Sequence, residues 1–184
     1  MAVRAELERE LRARGWGASL ERRAPAHAGL SEWAGTAGSS RLTRDALRWA
    51  AGGVRVAWVD PCDCLDPASA QRAGVELEQL LWLRGDRGWA ELRGLEGLSR
   101  WNEILNLLAQ SGAVERMVAD FLDWPAEEMR RIPRSAWFRL QRGLEQSGKT
   151  EMLLLTPAAV AGRCAVARRG VAQAAAALAM RRRA

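Results

Sequence analysis

The sequence has no tyrosine, one lysine, one histidine and three cysteines, and each scarcity closes off a class of chemistry. With His27 alone, and with Cys62-Asp63-Cys64 too tightly spaced for the usual zinc pattern, no metal site is expected. Cys62, Cys64 and Cys164 give no disulfide framework and agree with a reducing compartment. No uncharged run is longer than Gly170 to Met180, too short and too alanine-rich to span a bilayer. Met1 to Arg14 alternates Arg with Glu and lacks the apolar core of a secretion signal. A cytoplasmic protein with no membrane contact is therefore expected. The arginine excess, and nine Trp beside no Tyr, read as genome composition rather than chemistry.

What is present is the composition of a globular chain. Its 184 residues are 48% hydrophobic and 27% charged, enough to bury a core without disulfides or metals and too apolar for a disordered chain. The net charge of +6 is localised. Arg163, Arg168, Arg169, Arg181, Arg182 and Arg183 stand in a C-terminal segment without an acid, which leaves 22 basic and 22 acidic groups before it. A neutral body with a basic end suggests a localised anionic partner, a nucleic-acid backbone or an acidic protein surface, met through those six arginines.

Val3, Leu7 and Leu11 repeat at helical spacing ahead of Gly15, so residues 1–15 read as a short amphipathic helix. Too short to be stable alone, it must dock, either through a partner-binding stripe of Val3, Leu7 and Leu11 or on the chain's own core. A connector, Trp16 to Gly29, follows. Beyond it strands alternate with helices. Apolar runs predict strands near residues 54–59, 79–84, 115–120 and 151–156. Trp101, Ile104, Leu105 and Leu108 predict one helix, and Ser135 is read as the cap of a second that turns Trp137, Leu140 and Leu144 inward. The expected fold is α/β, a mainly parallel central sheet flanked by helices over 30–184. Trp58, Trp82, Trp101 and Trp137 fall within apolar runs and are expected in the core or an interface, whereas Trp16, Trp33 and Trp89 lie in connectors.

Gly143-Leu-Glu-Gln-Ser-Gly148-Lys149-Thr150 satisfies the phosphate-loop pattern and holds the one lysine. A working loop leaves a strand and opens a helix. Here the predicted order is reversed, so Gly148 is expected to end a helix.

The segment Val56-Ala-Trp-Val-Asp60-Pro-Cys-Asp-Cys-Leu-Asp66-Pro67-Ala-Ser-Ala, continuing through Ala73-Gly74-Val75-Glu76-Leu77 to Leu80-Leu81-Trp82, resembles the second core strand of the RecA recombinase superfamily. Its wording looks most like the ImuA accessory proteins of bacterial SOS mutagenesis. Ala109 to Asp120 is similar to that superfamily's Walker B strand, and Leu140 to Pro157 to its next helix and strand. The resemblance covers about residues 30 to 157 and implies a RecA-like domain. It also implies where an ATPase would keep its parts. The Walker A region falls at Gly35, Gly38, Ser39 and Ser40, with Ser39 at the lysine position and Arg41 two places late. Cys62 takes the catalytic glutamate's place, Ser69 that of the adenine-stacking aromatic and Pro157 that of the polar sensor, while Asp120 keeps the Walker B position. A thiol is no carboxylate base. The resemblance therefore implies a non-enzymatic protein, a degenerate nucleotide site and no cofactor.

Three functions follow as expectations. The first is an adaptor in SOS-induced translesion DNA synthesis that bridges RecA and an ImuB-like Y-family polymerase subunit, with a weak non-specific DNA contact. The second is a cell-division inhibitor similar to SulA that binds the tubulin-like division protein. The third is an active DNA-dependent ATPase.

Overall fold

The computed structural model describes residues 2–16, 28–36, 39–85, 94–162 and 167–170. Six strands, β1 (Gly29–Ala34), β2 (Val56–Asp60), β3 (Leu80–Arg84), β4 (Arg116–Asp120), β5 (Glu151–Thr156) and β6 (Ala167–Gly170), form one sheet in the order β3-β2-β4-β5-β1-β6. Every neighbouring pair is parallel. Helices α1 (Ala2–Ala13), α2 (Ser40–Ala50), α3 (Pro67–Arg72), α4 (Gly94–Ser111), α5 (Ala126–Arg130) and α6 (Arg134–Ser147) lie between or ahead of the strands.

Strand side chains alternate between two cores. Leu30, Ala57, Val59, Leu81, Met117, Ala119, Met152 and Leu154 face α1, α4, α5 and α6, where Leu98, Trp101, Leu105, Leu108, Trp137 and Leu140 meet them. Trp33, Trp58, Leu80, Val118, Leu153 and Leu155 face α2 and α3 and pack on Leu42, Ala46, Leu47 and Ala70. Burial on both faces is why β2, β4 and β5 read as continuous apolar runs.

Four strands stand where the runs predict them. Two more, β1 and β6, lie outside those runs. The helix predicted after Ser135 begins earlier: Pro133 occupies the cap, and Ser135 sits inside the first turn of α6 with no capping bond. Proline fixes φ near the helical value, so it opens the helix without a side-chain acceptor. Trp16 and Trp33, expected in connectors, are buried. Trp16 closes the α1 side of the core with the Arg55 guanidinium 5.3 Å from its ring centre, and Trp33 is a strand residue of β1. Trp82 is half-buried at the sheet edge.

Candidate functional site

The C-terminal ends of the strands open on a cleft of about 630 Å³ between α2, α3 and the turns after β2 and β4. The β1-to-α2 connection has the strand, turn and helix order of a Walker A region: β1 ends at Ala34, the Gly35 N–H donates to Thr156 O at 2.9 Å, and α2 starts at Ser40. Ser39 stands at the cap of α2 without a side-chain capping bond. Ser39 and Ser40 line the cleft with Thr43, Arg44, Arg48, Ser69 and Arg72. Gly38 lies outside the described residues. Arg41 is exposed and does not line the cleft; its basic groups are Arg44, Arg48 and Arg72. Arg48 pairs with Asp45 at 3.4 Å and Arg72 with Asp66 at 3.5 Å. Arg44 makes no ion pair with a described residue.

The turn after β2 is locked from three sides. Asp60, fully buried, accepts hydrogen bonds from the Cys64 N–H (2.9 Å), the Leu65 N–H (2.8 Å) and the Trp82 Nε1–H (3.1 Å). Arg84 at the end of β3 grips Asp63 with two bonds of 2.6 and 2.7 Å while stacking 4.2 Å from the Trp82 ring centre. A bidentate guanidinium–carboxylate contact of this kind fixes direction as well as distance. Gly85 lies so close to the turn that a Cβ there would sit 2.0 Å from Pro61 O. Cys62, in the catalytic-glutamate position of the resemblance, is therefore carried on a rigid turn and is half-buried.

Charge at this end of the sheet is strained toward neutrality. Burial, aided by the nearby charges of Asp60 and Asp123, lifts the Asp120 carboxyl to about 7. Burial likewise raises Asp60, against the three hydrogen bonds it accepts. The Cys64 thiol lies 3.3 Å from Asp123 Oδ2, and desolvation with that hydrogen bond pushes it up to about 12, which favours its protonated form. Among the described residues no three His, Cys, Asp or Glu side chains converge as a metal site.

Ser69, where the resemblance places the adenine-stacking ring, belongs to a helix cap. Asp66 precedes Pro67 and accepts from the Ala68 and Ser69 N–H groups, while the Ser69 hydroxyl donates to Asp66 at 2.5 Å and accepts from Arg72 at 2.7 Å. These contacts, the Ser69 hydroxyl first, hold Asp66 below the usual carboxylate range.

The phosphate-loop match has the reversed context expected of it. Gly143 lies inside α6 where that helix meets Ala109 and Gln110 of α4. Gly148 ends the helix at φ 63°, its N–H bonded to Leu144 O, a left-handed conformation that glycine adopts without cost. Thr150 is buried, donates its hydroxyl to Val114 O at 2.8 Å and leads into β5.

Leu7 and Leu11 are 3% and 6% exposed and belong to the chain's own core beside α4. That places them in the second of the two arrangements open to the helix, not in an exposed stripe, while the Val3 side chain lies outside the described residues. Arg14 anchors the helix end by donating to Leu80 O of β3 at 2.8 Å. Of the basic C-terminal group, Arg168 and Arg169 lie on β6, paired in register with Glu32 and Trp33 of β1; their side chains, with Arg163 and Arg181, Arg182 and Arg183, are outside the described residues, as is His27. No described helix is long and apolar enough to cross a membrane.

Arg72 and Asp123 carry no spacing signal toward Arg44 and Arg48 of α2, because they come from separate elements that only the fold brings to one cleft. Arg84 and Asp63 are likewise joined only by the pairing of β2 with β3.

No family model matches this chain. Sixty-nine residues, 38% of it, are 45% identical to Protein RecA of Thermus thermophilus, and the same match recurs in further strains of that organism. The match spans 17% of that protein's length. Together with an all-parallel sheet flanked by helices, it marks a RecA-like relationship.

Proposed function

We propose that this chain is a non-catalytic RecA-like adaptor in SOS-induced, error-prone DNA synthesis, bridging RecA and an ImuB-like Y-family polymerase subunit. The observation that carries the reading is the substitution of ATPase groups within a retained scaffold. Ser39 has no ammonium to bridge phosphates, Cys62 no carboxylate to orient water, and Ser69 is taken up by the Asp66 cap. Asp120, the one group kept, is buried and drawn toward its protonated form. A RecA-like sheet with the chemistry removed is suited to protein contacts made by its shape. Arg163, Arg168, Arg169 and Arg181 to Arg183 add a weak DNA contact through phosphates, indifferent to sequence and reduced by salt.

Co-purification tests the reading. Tagged full-length chain is expected to retain RecA and the Y-family-like subunit, and not the tubulin-like division protein. Retention of the division protein alone would replace the adaptor by the SulA-like inhibitor.

A further inference from the structure

On the helical side of the molecule, away from the strand ends that form the cleft, α4 and α6 enclose a groove of about 430 Å³. Its walls are rich in carboxamides: Asn102, Asn106 and Gln110 from α4, Gln146 from α6. Asn106 donates to Asn102 O and Oδ1 at 2.7 and 2.9 Å, yet Asn102 Nδ2 is buried with no hydrogen-bond partner. A buried donor left unpaired is costly, and the residue that carries it lines the groove. Arg139 and Arg142 rise from α6 on the rim, both exposed and neither in an ion pair with a described residue. Phe138, on the same helix and one turn before Arg142, is 55% exposed, one of two large hydrophobic side chains so exposed among the described residues.

We propose that this α4–α6 groove docks an acidic segment of a partner protein. A carboxamide offers a donor and an acceptor together, which is what a peptide bond requires of a neighbour. The two rim guanidiniums take carboxylates, and Phe138, outside the lining but one turn from Arg142 on α6, offers an apolar contact beside the groove. A polyanion fits less well. Glu103 lines the α4 wall of the groove, and a phosphate backbone laid along it must pass that carboxylate, whereas a peptide places its acids opposite α6 and a neutral residue opposite Glu103. The inference rests on the adaptor reading for the nature of the partner and supplies that reading with a surface.

The test is fluorescence anisotropy with the full chain and three labelled probes: a twelve-residue peptide of Asp, Glu and Leu, the same peptide with Lys for each acid, and a twenty-nucleotide oligothymidine. The acidic peptide is expected to bind and the Lys peptide not. Arg139→Glu with Arg142→Glu weakens binding about tenfold or more, and Phe138→Ala weakens it about threefold or more. Arg44→Glu, in the cleft, leaves it unchanged. Phe138, Arg139 and Arg142 are all exposed, and unaltered melting confirms that the variants fold. No acidic-peptide binding, binding indifferent to the rim variants, or tighter oligothymidine binding lost in the same variants overturns the proposal. If the chain retains its polymerase partner while the rim variants do so equally well, the groove is wrong and the adaptor stands; peptide binding lost in the rim variants, without co-purification of the polymerase subunit, keeps the groove and removes the adaptor.

Discussion

Replacing Leu7 and Leu11 together by alanine tests whether α1 is part of this chain's own fold. Both side chains are buried in the cluster that holds Trp16, Leu98 and Trp101. A buried Leu→Ala change costs about 2–5 kcal/mol, and a peripheral helix that can relax lies at the lower end. The two positions sit one turn apart and share neighbours, so their costs do not add fully. A joint loss of roughly 4 kcal/mol is expected, or a fall in Tm of about 8–16 °C for a domain of this size. Urea unfolding followed by tryptophan emission measures it, because Trp16 shares the buried cluster of Leu7 and Leu11 and has the Arg14 and Arg55 guanidiniums 5.8 and 5.3 Å from its ring centre. A loss under about 1 kcal/mol, or a wild-type midpoint that rises with protein concentration, would refute the intramolecular docking and return the helix to a partner's surface.

The pH dependence follows from Asp120. With its folded value raised to about 7, it keeps its proton at pH values where the unfolded chain has lost it, so its contribution to stability is full below about pH 4 and lost as pH rises through about 7. Asp120→Asn, neutral at every pH, is expected to stabilise the protein by about 1–3 kcal/mol at pH 7.5 and to flatten that slope; an unchanged slope between pH 5 and 7.5 rejects it. Gly85→Ala brings a Cβ onto Pro61 O and should cost about 1–3 kcal/mol, with faster hydrogen exchange at the Cys64 and Leu65 amides that Asp60 holds; undisturbed exchange would mean that the turn is not locked. Calorimetry with Mg-ATP is expected to give no micromolar binding, and such binding abolished by Arg44→Ala or Lys149→Ala would revive the ATPase.

Much of the sheet is legible in the sequence because β2, β3, β4 and β5 are apolar runs bounded by turn residues. β1 is not. Its sequence GLSEWA carries a carboxylate mid-strand, and Glu32 is tolerated there only because Oε1 accepts from the Val160 and Ala161 amides at 2.6 and 3.0 Å, a contact made by chain 128 and 129 residues away. Leu30 at the start of the same strand is satisfied by Gln141 of α6, whose Oε1 accepts its N–H at 2.7 Å. Neither pairing has a local signature. Trp16 reads as a connector residue because its cover is tertiary, the Arg55 guanidinium and the buried cluster it joins. The reversed phosphate loop, by contrast, is fully legible: helix propensity before Gly148 and an apolar run after Thr150 fix the order of elements without reference to anything distant. The candidate site is legible only where the RecA-like wording places positions. The Arg44, Arg48 and Arg72 lining, and the Arg84 clamp on Asp63, need the fold.

The most direct measurement of the central claim is the frequency of ultraviolet-induced mutation in host cells that lack this chain. The adaptor account predicts that induced mutations fall to the uninduced background, that recombination by RecA persists, and that Lys149→Ala and Arg44→Ala chains restore mutagenesis fully since no ATP is used. Undiminished induced mutagenesis, with damage-induced arrest of division lost instead, would contradict it.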